Sequence, residues 1–183
     1  LKSGPTQLAR RLVAVKDRVY ITLGVDEPVS VLDAATGELI HELPDSKGAE
    51  EIIVEGGQVF VLESPEEWEL NSFLPFHNTG DQARIRRDFA WNKKKRDVKA
   101  YDAVTGKRIW GHNNKVAPLT MTADEHRVFF HDGEKVVALN RSSGDVAWSA
   151  GKSFLPETVR FNFGPKLVIH DGVVLYAGGD RLL

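Results

Sequence analysis

The sequence predicts an all-β fold assembled from a repeated four-stranded antiparallel unit. Three observations point there. Short runs rich in Val, Ile, Phe and Tyr dominate the 183 residues, and Gly, Asp, Asn and Pro separate them, as turns separate strands. One hairpin is written three times: AYDAVTGKRIW at 100–110, VLDAATGELIH at 31–41 and ALNRSSGDVAW at 138–148. The turn glycines of two copies, Gly106 and Gly144, lie 38 residues apart. A period near 40 with four strands per repeat marks the blades of a β-propeller.

The units follow in order. Blade 1, over 11–43, contains RLVAV, RVYITL, VSVLD and ELIHEL. Blade 2, over 50–111, contains EIIVEG, QVFVLE, VKAYD and KRIWG. Gly37 and Gly106 are 69 residues apart, 31 more than the blade period, and the excess falls at 64–97. That stretch predicts a small helical insertion. Ser64 stands as N-cap, Pro65 at the first helical position and Glu67 where it closes a capping box. FLPFHNTG then reads as loop, and a second helix is expected from Asp81, with Ile85 and Phe89 on one face. Blade 3, over 117–149, contains LTMTA, RVFFH, KVVALN and DVAWS. Partial blade 4, over 166–183, contains KLVIH and VVLYAG and stops at DRLL. The incomplete unit predicts a piece of a longer propeller, with further blades as partners for an open edge.

The repeated hairpin has a physical logic. Asp33 and Asp102 can cap turn N–H groups with their carboxylates, and Thr105 adds a hydroxyl. Gly37, Gly106 and Gly144 supply the left-handed residue of a short turn. Four residues after each glycine comes His41, Trp110 or Trp148. These residues resemble the tryptophan-docking motif, A-x-D-x-x-T-G-K-x-x-W, of the PQQ-like (quinoprotein-type) propellers. The third copy departs with Asn140 and Ser143, and the first lacks the tryptophan. The resemblance implies that the ring packs between neighbouring blades, so that the motif builds architecture and carries no catalysis.

Similar cofactor-free propellers include the BamB family, lipoproteins that scaffold outer-membrane β-barrel assembly. That likeness implies a non-enzymatic protein-binding scaffold, exported to the periplasm or cell envelope. The alternative is a fragment of a PQQ-dependent dehydrogenase whose quinone and calcium sit in missing blades. The family's dehydrogenases resemble one another in an adjacent cysteine pair, a catalytic aspartate and Glu/Asn calcium ligands. No cysteine and no calcium cluster stands out here, so no catalytic, cofactor-binding or metal residue is expected.

Composition narrows the function classes further. A net charge of −2 describes no polyelectrolyte binder. The absence of cysteine removes disulfides, thiolate zinc sites and thiol nucleophiles. No apolar run reaches the ~20 residues of a membrane helix. The opening LKSGPTQLARR lacks Met and an apolar segment, which predicts a mature product or an excised piece.

The most individual stretch is 81–96, with seven basic and two acidic side chains. Arg84, Arg86, Arg87, Lys93, Lys94, Lys95 and Arg96 surround Phe89 and Trp91. Such a basic, aromatic run suits docking to an acidic protein surface or anionic lipid. Nucleic acid is not expected, because the whole chain is slightly acidic. The plainer alternative is a solvated helix paired with the preceding EEWE. The six histidines show no HExxH and no two-His-one-carboxylate spacing. HDG occurs at 131–133 and 170–172, but Asp-Gly is a hairpin turn signal in its own right.

Overall fold

The computed structural model describes residues 10–24, 27–64, 95–117, 119–152, 166–178 and the backbone of 181–182. These form successive antiparallel sheets in chain order. The first is β1 (Leu12–Val15), β2 (Arg18–Thr22), β3 (Val29–Asp33) and β4 (Leu39–Glu42). The second is β5 (Ala49–Glu55), β6 (Gln58–Glu63), β7 (Arg96–Asp102) and β8 (Arg108–Asn114). The third is β9 (Thr122–Ala123), β10 (Arg127–His131), β11 (Val136–Asn140) and β12 (Val146–Ala150). The fourth is three-stranded: β13 (Lys166–His170), β14 (Val173–Gly178) and β15 (Arg181–Leu182). The all-β, blade-like architecture is the one the sequence predicts.

The core lies between sheets, and the period of two explains how. In β6, Val59 and Val61 pack towards the first sheet with Tyr20, Val29 and Val31. Phe60 and Leu62 pack the other way, with Val128, Phe130 and Leu139 of the third sheet. A strand buried on both faces needs apolar residues at every position, which is why QVFVLE shows no polar alternation. Tyr176 and Leu167 meet Phe129 and Ala138 in the same manner between the third and fourth sheets.

Three boundaries differ from expectation. The strand expected over 119–123 pairs only at Thr122 and Ala123. Leu119 holds a left-handed φ of 59°, which no strand residue can adopt. The last unit adds β15 at Arg181 and Leu182, where DRLL was expected to end the pattern. Strand β7 begins at Arg96, pairing with Asn114, so Arg96 and Asp97 belong to the sheet and leave the insertion expected over 64–97. The helices expected within 65–94 lie outside the described residues. Among the described residues, no helix is long and apolar enough to cross a membrane.

Candidate functional site

The hairpin turns set the geometry of the blade junctions. The Asp102 carboxylate accepts from the N–H groups of Thr105 at 2.7 Å and Val104 at 3.1 Å, and from the Thr105 hydroxyl at 2.8 Å. Asp33 accepts equivalently from Ala35 and Thr36. These N–H groups, that of Thr105 first and that of Thr36 first, hold both carboxyls below the usual range. Each turn closes with the glycine N–H on the carbonyl four residues back, from Gly37, Gly106 and Gly144. All three glycines are left-handed, with φ of 75°, 69° and 77°. A register shift precedes every turn, between Val31/Leu32, Ala100/Tyr101 and Ala138/Leu139. The bulge is a repeat feature with no signature in residue type.

Two of the three aromatics, His41 and Trp110, then meet the turn glycine of the next blade. A Cβ on Gly144 would stand 2.6 Å from Trp110 Cε3 and 2.7 Å from Cδ2. The indole Nε1 donates to the Arg141 carbonyl at 2.7 Å. The Arg141 guanidinium reaches back to the Glu55 carbonyl at 2.7 Å and Gln58 Oε1 at 2.7 Å, clasping the same junction. His41 lies over Gly106 in the corresponding way. Trp148 is half-buried, its ring centroid 5.7 Å from that of Phe129. Gly144→Ala is expected to destabilise the protein by about 1–3 kcal/mol, from left-handed strain together with displacement of the indole. Thermal or urea unfolding checks it, and Gly37→Ala, with nothing near its Cβ position among the described residues, should cost less.

The insertion is rooted at Ser64 and Lys95, beside a groove between the first two blades. The groove has a volume of about 640 Å³ and its walls include Pro28, Leu43, Pro44, Glu63, Asp97 and Lys99. Lys99 pairs with the buried Glu63 and donates to the Asp45 carbonyl at 2.5 Å. Tyr101 donates its hydroxyl to Glu63 at 3.2 Å. Burial raises Glu63 to about 7, with Lys99 pulling it back only in part. Burial and the neighbouring Glu63 also push the Tyr101 phenol up.

Arg96, one of the basic residues expected to meet a partner, is buried and bonds Glu50 Oε2 at 2.5 Å. A strand position with an acid behind it turns that charge inward. The other basic and aromatic residues of the run, Arg84, Arg86, Arg87, Phe89, Trp91, Lys93 and Lys94, lie outside the described residues, and Lys95 is exposed.

Sequence reasoning missed a contact across three blades. Arg10 donates to the Leu119 carbonyl at 3.0 Å and pairs with Glu51 Oε1 at 3.2 Å, while its own carbonyl accepts from Ile52 N–H at 2.8 Å. Glu51 is fully buried, and burial lifts its carboxyl to about 7 against the pull of Arg10. The sign of the linkage follows. Between the ordinary 4.5 and about 7, folded Glu51 keeps a proton that the unfolded chain has lost, so its contribution to stability falls as pH rises through that window. Glu51→Gln is expected to flatten this decline, read by urea unfolding at about pH 5 and about pH 7.5.

The two HDG segments are turns with different fates. His131 is buried, its Nδ1 accepts from Gly133 N–H at 3.0 Å, and its ring stacks on Tyr176 at 4.2 Å. His170 is exposed at the β13–β14 turn. Among the described residues no group of three or more His, Asp or Glu converges as metal ligands would.

Comparison with known proteins fits this architecture. The family model for the outer membrane protein assembly factor BamB matches residues 3–160 and, in a second placement, 94–180. No curated protein sequence is significantly similar to the chain. Among solved structures, BamB from Moraxella catarrhalis is similar at 14% identity and a TM-score of 0.52, over 88% of this chain and 43% of that one. Quinohemoprotein alcohol dehydrogenase from Comamonas testosteroni is similar at 16% identity and a TM-score of 0.55, over 91% of this chain and 32% of that one. The chain therefore spans less than half the length of either structure, and these likenesses speak to the fold. With the repeat, the turns and the matched family model taken together, the chain belongs to the family of the outer membrane protein assembly factor BamB.

Proposed function

We propose that the chain is a non-enzymatic scaffold for protein docking at the cell envelope. The family match over nearly the whole chain is the observation that carries this reading. In it, the three hairpins act as the tryptophan-docking motif, joining the blades into one binding surface that carries no chemistry of its own. The basic run over 81–95 docks an acidic protein surface.

Among the described residues, the buried acids are committed to cations of the chain itself rather than to a quinone–calcium site. Calcium takes six to eight oxygen ligands. The buried carboxylates of Glu50, Glu51 and Glu63 lie on Arg96, Arg10 and Lys99 respectively. A carboxylate neutralised by a fixed cation is a poor calcium ligand.

The test is charge reversal of Arg84, Arg86, Arg87, Lys93, Lys94 and Lys95 to Glu. Co-purification with outer-membrane β-barrel assembly proteins should be lost while the melting temperature holds. Undiminished co-purification by the reversed variant would reject the run as the docking element.

A further inference from the structure

The first blade junction differs in chemistry from the second. At the second, Trp110 covers Gly144 and supplies a hydrogen to the Arg141 carbonyl. The equivalent carbonyl at the first junction, one residue after the capping acid, belongs to Ala103. It accepts instead from the Arg18 guanidinium, because the ring over the glycine is the shorter imidazole of His41. A Cβ on Gly106 would lie 2.6 Å from His41 Cδ2 and 2.9 Å from Nε2. The imidazole edge thus rests on the glycine. Its Nε2 is buried and has no hydrogen-bond partner among the described residues.

The charges around this ring leave an added proton without an acceptor. Arg18 comes from β2 and Asp102 from the facing turn. Lys107 and Arg108 follow that turn, and Arg108 pairs with Asp45 at 3.6 Å. Glu42 is the next residue on β4, and across β3 the ring faces apolar Val31. Asp102 is already engaged by Val104 and Thr105.

We infer that His41 makes the junction between the first two blades acid-sensitive, while the Trp110 junction stays closed. Protonation places a cation against the glycine backbone beside Arg18, with its Nε2–H buried and unpaired, and loosens blade 1 from blade 2. Burial first, and Arg18 second, hold the folded imidazole below its ordinary value of 6.5. The folded state therefore binds less proton than the unfolded chain, so stability is full above 6.5 and falls as pH drops through that value. Glu51 and Glu63 have the opposite sign over part of the same range, so the difference between variants isolates His41.

The experiment is amide hydrogen exchange of the protein at about pH 7.5 and about pH 5.5, corrected for intrinsic rates. Protection of Leu39–Glu42 in β4 is expected to fall severalfold on acidification, and that of Arg108–Asn114 in β8 is not. His41→Phe and His41→Trp should each remove the response in β4. A native β4 no more acid-sensitive than β8, or a His41→Phe protein that keeps the response, overturns the inference. Nuclear magnetic resonance titration of the His41 ring needs no variant. A midpoint below 6.5 is expected, and one at or above 6.5 overturns it.

Discussion

Replacing Trp110 by alanine is expected to destabilise the protein by about 3–5 kcal/mol. The ring is only 8% exposed and belongs to the core between the second and third blades. It sits 6.1 Å from the Phe60 ring and fills the space above Gly144. Truncation leaves a cavity at that junction, since backbone on both sides is pinned by strand pairing. It also takes the Nε1 hydrogen from the Arg141 carbonyl, a separate cost for a part-buried acceptor. Trp148→Ala should cost less, because that ring is only half-buried. Denaturant unfolding of both variants measures the contrast. A Trp110→Ala loss under ~0.5 kcal/mol would mean that the ring does not hold the blades together.

Arg96→Ala carries the second large effect, about 3–5 kcal/mol. Arg96 and Glu50 are both nearly fully buried, at 8% and 5% side-chain exposure. Removing the cation strands a carboxylate away from water. Adding Glu50→Gln to Arg96→Ala should restore part of the loss, because the stranded charge is gone, and a double-mutant cycle in urea reads that coupling. The prediction also separates Arg96 from its basic neighbours. Its loss should lower stability, whereas reversal of Lys93 or Lys94 should alter docking alone.

The strands were legible because each announces itself locally. RVFFH, VSVLD and QVFVLE become β10, β3 and β6 with the expected bounds, since apolar runs between Asp, Gly and Asn leave few alternatives. The turns were legible for the same reason, as Asp102, Thr105 and Gly106 interact within five residues of chain. The contacts between blades were not. Arg96 reads as the end of a charge run, and only its partner 46 residues away shows it to be internal. Arg10 reads as half of a dibasic pair, and its acceptor at Leu119 lies 109 residues on. His41 stands visibly in the tryptophan position, but nothing local says that Arg18 supplies the missing donor. Long-range polar pairing is set by the closing of sheet on sheet, which residue patterns do not encode.

Calorimetric titration of the intact parent protein, with all its blades, with PQQ in the presence and absence of calcium tests the scaffold reading most directly. The account predicts no saturable heat in either condition from protein shown to be folded. Saturable, calcium-dependent binding would contradict it and place the chain with the quinone-binding propellers.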